Sequence, residues 1–305
     1  DGVPISVKDE LDMLPFPTMA GSKFYSTQPP EQDATSVARL RLAGALMVGK
    51  TNMHEIGLGV TGLNVHYGTT RNPHHLDHYP GGSSSGSAAA VAAGLSPIAL
   101  GLDGGGSIRI PASLCGVVGL KTTWGRISSA GAAPLSWSVS TVGPITATAD
   151  DAALAYSFLA GADPRQLRTQ NQPPVDLQDF NNTNLAGVKL GIFSPWFKHA
   201  SADIVQNCER MLEAFKSQGA SIEEIEIPEL NEARIAQIVT IVTELLTSLQ
   251  PHFKTFKQPF GLDALLNLTL AKEFSGRDYV KAQRIRAELI RNLNEIYQHV
   301  DAIVT

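Results

Sequence analysis

Serines clustered at Gly82-Ser-Ser-Ser-Gly86 are the first residues in this chain whose type and spacing could do chemistry. The segment matches G-x-S-x-G, the pattern of a nucleophile elbow, with Ser84 at its centre. Such a serine attacks a carbonyl carbon when a histidine accepts its proton. An elbow requires a strand directly before it, and Asp77-His-Tyr-Pro80 lacks a strand pattern. A Ser-His-Asp hydrolase using Ser84, with a base such as His252 or His299, is therefore an alternative rather than the main hypothesis.

Two other segments match nucleotide-binding patterns. Gly44-Ala-Leu-Met-Val-Gly-Lys-Thr51 fits G-x-x-x-x-G-K-[ST], but its apolar run 45–48 predicts a buried strand instead of a loop that wraps phosphates. Gly57-Leu-Gly-Val-Thr-Gly62 fits G-x-G-x-x-G, but the residues before it, Asn52-Met-His-Glu55, do not form an apolar strand. We therefore expect no bound nucleotide and no cofactor.

Histidines are concentrated in one short segment, where His74, His75 and His78 accompany Asp77. Imidazole and carboxylate groups are zinc ligands. Adjacent histidines in a loop rarely converge on one ion without distant partners, so a solvated polar loop is the favoured interpretation and no metal is expected.

Glycines are concentrated between Gly81 and Gly106, where eight of the chain's 27 glycines occur. A glycine lets another backbone or a bound molecule approach closely. The excess predicts a region whose function needs bare backbone.

Composition excludes several classes of protein. The 305 residues are 43% hydrophobic and 17% charged, as in folded globular proteins. The net charge of −5, without a basic run, predicts no nucleic-acid partner. The longest weakly polar stretch, 88–102, is shorter than the roughly 20 residues of a transmembrane helix. The two cysteines suit a reducing compartment, so we expect a cytoplasmic protein, with any peripheral membrane contact made by segments outside this chain.

Apolar periodicity alternates between helix and strand along the chain. It predicts helices over 34–42, 83–94 and 202–218, strands over 45–48, 97–102, 188–193 and 221–227, a glycine turn at 103–106 and a surface loop over 162–186. Residues 230–300 are mainly helical, with an apolar face of Ile235, Ile238, Val242, Leu245 and Leu249. The alternation predicts α/β architecture. We interpret 1–305 as a single domain truncated at both ends.

Three segments taken together are more specific than any single pattern. They are Gly2-Val-Pro-Ile-Ser-Val-Lys8-Asp9, Gly81-Gly-Ser83-Ser-Ser-Gly-Ser-Ala-Ala-Ala90 and Asp103-Gly-Gly-Gly-Ser107-Ile-Arg109-Ile-Pro111. They resemble the amidase signature family, and the resemblance covers nearly the whole chain. It implies an α/β fold with a mixed, twisted β-sheet core covered by helices on both faces. It also implies a catalytic Ser-Ser-Lys triad, with Lys8 as the base, Ser83 as the bridging serine and Ser107 as the nucleophile.

The implied roles agree with the chemistry of these residue types. An ordinary lysine, with a pKa of about 10.4, is neutral in about one molecule in 2,500 at pH 7, so a lysine base must be desolvated. Lys8 follows an apolar, strand-like run, which is compatible with burial. In the family the bridging serine follows a cis peptide bond, which here is Gly82-Ser83.

The resemblance also implies the groups around the nucleophile. Backbone N–H groups of Gly104, Gly105, Gly106 and Ser107 would bind the negative oxygen of a tetrahedral intermediate. Ser84 and an ion pair between Asp103 and Arg109 would support the turn.

The resemblance leaves the amide substrate open. Leu14-Pro-Phe-Pro-Thr18 and Tyr67-Gly-Thr-Thr-Arg-Asn-Pro73 look most like plant and microbial fatty acid amide hydrolases, which cleave N-acylethanolamines. The apolar segments 238–249 and 262–270 would line an acyl channel or simply pack the core. The alternatives are the glutamine-hydrolysing component of an amidotransferase for tRNA charging and a non-catalytic binding protein. The expected partner is a small-molecule amide, with a lipid substrate and a homodimer left open.

Overall fold

The computed structural model describes residues 2–23, 25–178, 180–252 and 260–305. The chain divides into two compact units. The first contains the residues up to Val175 together with Ile241–Phe274, and the second contains Asp176–Thr240 and Ser275–Thr305. A single domain can contain two such units, so the predicted single domain stays a prediction.

The first unit is built on a five-stranded mixed sheet. In chain order its elements are β1 (Pro4–Lys8), α1 (Thr35–Leu42), β2 (Leu46–Thr51), α2 (Ser85–Ala92), β3 (Ile98–Asp103), α3 (Arg109–Leu114), β4 (Val118–Gly119), β5 (Thr141–Thr146) and α4 (Ala149–Leu159), and short 3-10 helices lie at Glu55–Gly57 and Leu167–Thr169. The strand order in the sheet is β2-β1-β3-β5-β4. Strand β1 is parallel to β2 and β3, whereas β5 is antiparallel to both β3 and β4. This arrangement confirms the predicted α/β class with a mixed sheet.

The carboxyl edge of β1 and β3 positions the chemistry-bearing residues. Lys8 is the last residue of β1 and Asp103 is the last residue of β3, and parallel strands end at the same edge of a sheet. Asp103 pairs with Thr141 of the antiparallel β5, so residues just before β5 lie at that edge as well. All six residues of β3 are buried, as the continuous apolar run predicted.

Helix α2 packs closely against this sheet because its side chains are small. Its sequence is Ser-Gly-Ser-Ala-Ala-Ala-Val-Ala, which lies within the predicted helix 83–94. A Cβ on Gly86 would lie 2.6 Å from the backbone nitrogen of Asn52, and one on Gly101 would lie 3.0 Å from the Ser84 hydroxyl. Gly86 therefore permits a close contact with the backbone of Asn52, and Gly101 a close contact with the Ser84 side chain, that any side chain at these positions would block.

The prediction of a buried strand at 45–48 is wrong in burial and in length. Strand β2 extends to Thr51 and is an edge strand of the sheet, with the side chains of Leu46 and Val48 more than half exposed. The local sequence predicts an extended segment but cannot show that β2 has a neighbour on one side only. The segment is nevertheless a strand and not a phosphate-binding loop.

The second unit contains β6 (Lys189–Ile192), α5 (Ser194–Phe197), α6 (Ala202–Ser217), β7 (Ser221–Glu224), α9 (Gly276–Ile296) and β8 (Ala302–Val304). The three strands form a parallel sheet with the order β7-β6-β8. Strands β6 and β7 confirm the strands predicted over 188–193 and 221–227.

Helix α7 (Leu230–Leu249) crosses the boundary between the units, and α8 (Leu262–Ala271) belongs to the first unit. Val242, Leu245 and Leu249 are buried in the first unit's core, as predicted. Ile235 and Ile238 are more than half exposed, so the predicted apolar face is wrong for the first half of α7. Within the described ranges, no helix is long and apolar enough to span a membrane.

Candidate active site

Lys8 is fully buried at the end of β1, in contact with three oxygen atoms. Its Nζ donates hydrogen bonds to the Ser83 hydroxyl at 2.8 Å and to the carbonyl oxygen of Leu102 at 3.2 Å. It also lies 2.6 Å from Oε2 of Glu10, whose side chain is 3% exposed. A buried lysine at hydrogen-bonding distance from a buried serine is the arrangement that the predicted triad requires.

Ser83 lies between Lys8 and the start of α2 and is buried. The Gly82-Ser83 peptide bond is cis, which confirms the prediction from the family resemblance. The Ser83 carbonyl oxygen accepts a hydrogen bond from the backbone N–H of His54 at 3.0 Å. A Cβ on Gly82 would lie 2.9 Å from the backbone nitrogen of Gly62, so the glycine is needed for close packing on this side.

Ser84 connects the bridging serine to the turn that carries Ser107. Its backbone N–H donates to the carbonyl oxygen of Ser107 at 3.1 Å. Its buried hydroxyl lies 3.4 Å from both the N–H and the carbonyl oxygen of Leu102. These contacts are to backbone atoms and give no support to Ser84 as the nucleophile of a Ser-His-Asp hydrolase, and His252 lies against the ring of Tyr25. Ser84 instead brings residues 83 and 107 into adjacent positions.

Asp103 organises the glycine turn before Ser107. Its carboxylate accepts hydrogen bonds from the N–H groups of Gly106 at 2.7 Å and Ile108 at 3.0 Å, and two from Arg109, each at 3.0 Å. Burial alone would raise the pKa of the Asp103 carboxyl, but the hydrogen bonds and charge of Arg109, together with the two N–H groups, outweigh burial and hold the pKa below its ordinary value. The predicted Asp103–Arg109 ion pair is confirmed.

The backbone N–H groups of the glycine turn differ in whether they have a hydrogen-bond acceptor within the protein. The N–H of Gly106 points to Asp103 and not to a substrate position, which differs from its predicted role in binding an oxyanion. Among the described residues, none accepts a hydrogen bond from the N–H of Gly105 or Ser107. A Cβ on Gly104 would lie 3.0 Å from the Ser140 hydroxyl, and one on Gly105 would lie 3.1 Å from Cδ1 of Ile241. Larger residues would be crowded in this turn, and the glycines leave its backbone uncovered. This agrees with the prediction, made from the many glycines between Gly81 and Gly106, of a region that needs bare backbone.

A cavity of about 450 Å³ adjoins this turn through Ser140. Ligand cavities are commonly of this size. Its wall combines apolar groups, among them Leu102 and Trp137, with serines and two arginines, Arg165 and Arg168. Arg168 lies over the ring of Trp124 at 4.4 Å and donates to the Trp137 carbonyl oxygen at 3.1 Å, so its position is fixed.

The apolar segments 238–249 and 262–270 are divided between buried and exposed residues. Val242, Leu245, Leu249 and Leu268 pack in the core. Leu262 and Leu266 are instead more than half exposed. Of the described residues lining the cavity, none belongs to α7 or α8. The acyl channel therefore stays a prediction, and core packing accounts for only part of these segments.

The histidine segment is not assembled into a metal site. His75 and His78 contact each other through their Nδ1 atoms at 2.8 Å, and Nε2 of His74 lies 2.9 Å from the carbonyl oxygen of Cys115. Across 2–23, 25–178, 180–252 and 260–305, no group of three histidine, cysteine or acidic side chains could hold a metal ion. Burial raises the pKa of the Cys115 thiol to about 11, as expected for an unreactive core cysteine.

Two buried groups beside the triad were not predicted. Glu10 contacts Lys8, and the His54 backbone contacts Ser83. The only sequence feature that could have identified Glu10 is its place as an acidic residue two positions after the candidate base. It was not informative alone, because whether residue 10 faces Lys8 depends on how the chain turns after β1.

Comparisons with known proteins agree with this geometry. A family model described as Amidase matches residues 1–305. A fatty acid amide hydrolase of Oryza sativa subsp. indica is 45% identical over 313 residues, covering 100% of this chain and 52% of the rice protein. A glutamyl-tRNA(Gln) amidotransferase component from Akkermansia muciniphila is 35% identical, covering 99% of this chain and 70% of that protein.

Among solved structures, native peptide amidase from Stenotrophomonas maltophilia has a TM-score of 0.80 and 32% identity, covering 92% of this chain and 64% of that one. The chain thus spans about half the length of the plant relatives it matches, and it aligns with them along its whole length. The family model, these relatives and the shared fold lead to one conclusion: the chain belongs to the amidase family.

Proposed function

We propose that this protein is a serine amidohydrolase that cleaves the C–N bond of a carboxylic amide through an acyl-enzyme. The observation that carries the proposal is the 2.8 Å hydrogen bond from the buried Nζ of Lys8 to the Ser83 hydroxyl, next to the turn that holds Ser107. A serine hydroxyl becomes a strong nucleophile only when a base accepts its proton. The contact supports the second step of a proposed route for that proton, in which it passes from Ser107 to Ser83 and then to Lys8.

In the proposed reaction, the Ser107 oxygen attacks the amide carbonyl carbon and its proton passes to Ser83. Ser83 passes its own proton to the neutral form of Lys8. The proton then returns through Ser83 to the leaving amine, and water releases the acyl group by the same route. Each step uses a group in the Lys8–Ser83–Ser107 sequence, with Ser84 holding the two serines side by side.

The negative oxygen of the tetrahedral intermediate would be bound by backbone N–H groups of the glycine turn. Gly105 and Ser107 are the best placed donors, because the N–H of Gly106 already donates to Asp103. We keep Gly104 in the proposed donor set, whereas Gly106 fixes the shape of the turn. Asp103 and Arg109 would thus act on the intermediate indirectly, by orienting these donors.

For the substrate we propose a fatty acid amide such as an N-acylethanolamine. The support is the identity of 41–45% to plant fatty acid amide hydrolases and a cavity beside the turn with apolar walls. The glutamine-hydrolysing component of a tRNA amidotransferase is the second candidate, supported by relatives of 35–40% identity. Of the two, the plant enzymes are the more similar. A cytoplasmic location, peripheral contact with a membrane and a homodimer are further proposals.

Labelling with a fluorophosphonate tests the nucleophile, and a panel of amides tests the substrate class. We expect the probe to attach to Ser107, as located by mass spectrometry of proteolytic fragments. Glutamine, short acyl amides and long-chain N-acylethanolamines would then be compared by kcat/KM, which should rise with chain length. Release of ammonia from glutamine as the fastest reaction would favour the amidotransferase, and an unlabelled Ser107 would overturn the triad.

A further inference from the structure

The contact between Lys8 and Glu10 creates a conflict for a lysine that must act as a base. The ammonium form of lysine has three N–H groups, and Nζ has three oxygen neighbours, Ser83 Oγ, Leu102 O and Glu10 Oε2, at 2.8, 3.2 and 2.6 Å. In that form Lys8 donates two of its protons to Ser83 and Leu102, Glu10 Oε2 is the oxygen nearest to Nζ, and the nitrogen lone pair is absent. Lys8 can accept the Ser83 proton only after one of these protons has left.

Glu10 is the group placed to take that proton. Its Oε2 is the nearest of the three acceptors to Nζ, and the side chains of Lys8 and Glu10 are 0% and 3% exposed. Oε2 is close to Nζ but has no partner in hydrogen-bond geometry among the described residues, Lys8 included. A buried carboxylate oxygen without further donors is poorly stabilised in its charged form, so a shared proton is favoured.

The transfer balances without any external group. The Nζ–H bond of Lys8 breaks and an Oε2–H bond of Glu10 forms, which converts an ammonium and a carboxylate into an amine and a carboxylic acid. The pair has zero net charge before and after the transfer. The neutral form avoids placing two charges in a site closed to water, where the cost of removing each ion from water can exceed the attraction between them.

We propose that Glu10 holds the proton that Lys8 must release, so that the base of this enzyme is a Lys8–Glu10 pair and not Lys8 alone. The inference rests on the proposed triad and deepens it. Glu10 is a positioning residue in this scheme, because it acts on the substrate only through Lys8 and Ser83. When Lys8 accepts a proton during attack, the oxyanion carries the compensating negative charge.

Two of the titratable groups near the pair, His54 and Tyr25, are neutral around pH 7. Burial lowers the pKa of His54, against the opposing effect of Asp263, and the positive charge of Lys8 lowers it further. Burial and the nearby Glu10 and Asp12 raise the pKa of Tyr25 to about 12. Neither His54 nor Tyr25 therefore adds a charge next to the Lys8–Glu10 pair.

The proposal predicts a characteristic pH dependence. Proton exchange within a pair of zero net charge does not change with pH, so the fraction of Lys8 in the base form is constant over the neutral range. In Glu10→Gln, the amide cannot hold the proton, and Lys8 must lose it to solvent. Deprotonation to solvent becomes tenfold more favourable with each pH unit.

The test is the rate of fluorophosphonate labelling at Ser107 in the whole chain, measured between about pH 6 and 9. We expect a flat profile for the unmodified protein. Glu10→Gln should react about 10²-fold more slowly at neutral pH and recover with a slope near one toward alkaline pH. Glu10→Asp, which keeps a carboxyl group, should restore a flat profile.

Glu55→Gln is the matched control, since Glu55 is a buried carboxylate that contacts His66 and not the triad. Its profile should stay flat. If Glu10→Gln labels at an unchanged or higher rate at neutral pH, Glu10 is only a counter-ion and the inference is overturned. A slope near one in the unmodified protein would overturn it even if Glu10→Gln does not fold. Absence of labelling at Ser107 in the unmodified protein would instead overturn the proposed function, and this inference with it.

Discussion

The two units of the chain differ in where they place their charged side chains. In the first unit, the pairs Lys8–Glu10 and Asp103–Arg109 each contain a fully buried charged group. In the second unit, the pair Arg291–Glu295 lies on the surface of α9, with side chains 60% and 67% exposed, and Lys216–Glu213 on α6 is similarly open.

The buried pairs of the first unit belong to the candidate active site, whereas the exposed pairs of the second unit lie on its surface. Burying an ion costs several kcal/mol before its partner offsets any of it, so a buried pair is weak support for stability alone. An exposed pair costs little and contributes about 0–1 kcal/mol. The buried charges of the first unit lie at one edge of the sheet, beside Ser83 and Ser107, where proposed proton transfer uses them.

Removing the proposed nucleophile should have the largest effect. Ser107→Ala should lower amidase kcat by at least about 10⁴-fold, because no neighbouring group can replace the attacking oxygen. The midpoint of thermal unfolding should stay near that of the unmodified protein, since Ser107 is only half-buried. Steady-state hydrolysis and a thermal scan of the same sample provide the two measurements. Substantial residual turnover would assign the chemistry to another residue.

Lys8→Ala should affect both activity and stability. Loss of the base should reduce kcat by about 10²- to 10⁴-fold. The substitution also leaves the polar Glu10 side chain buried without its partner, which should lower the free energy of unfolding by about 1–3 kcal/mol near pH 7. Chemical denaturation in urea would measure the second effect. A loss below about 1 kcal/mol, as for a surface pair, would remove the contrast between the two units.

Asp103→Asn should have an intermediate effect that depends on pH. The pKa of Asp103 is below its ordinary value in the folded state, so the carboxylate contributes stability above the unfolded-state value of about 3.9. That contribution is lost as the pH falls through the folded-state pKa. At neutral pH the variant should lose about 1–3 kcal/mol, because the N–H groups of Gly106 and Ile108 keep a weaker acceptor.

Unfolding curves for Asp103→Asn and the unmodified protein at a series of pH values would show whether the stability loss falls or grows with acidity. The difference from the unmodified protein should be largest at neutral pH and shrink in acid. A difference that grows in acid would contradict the assignment. Activity should also fall, since the turn carrying the proposed oxyanion donors loses part of its support.

Arg291→Ala should have the smallest effect. Its partners Glu288 and Glu295 lie on the same exposed face of α9, so the free energy of unfolding should change by less than about 0.5 kcal/mol. Amidase activity should not change. A loss as large as that of Lys8→Ala would show that exposed pairs in the second unit carry as much stability as buried pairs in the first.

Much of the candidate site could be predicted from the sequence because it lies in short local motifs. Segments around Lys8, Ser83 and Ser107 carry the residue types and spacing that resemble the family, and the structure brings the three segments together. Strand β3 and helix α2 could likewise be predicted, since their apolar and small residues are contiguous.

Features that depend on distant partners could not be predicted. The exposure of Leu46 and Val48 follows from which strands pair with β2, and the exposure of Ile235 follows from what packs against α7. The direction of the Gly106 N–H depends on the position of the Asp103 carboxylate, which the order of residues alone does not give.

The sequence by itself determined which groups this protein has for chemistry: a lysine, two serines and a glycine turn, in segments typical of the amidase family. Only the tertiary structure decided how protons and charges are arranged among them. It placed Glu10 against Lys8 and directed the Gly106 N–H to Asp103, because the turns after β1 and β3 bring these atoms within 3 Å of the last residue of each strand.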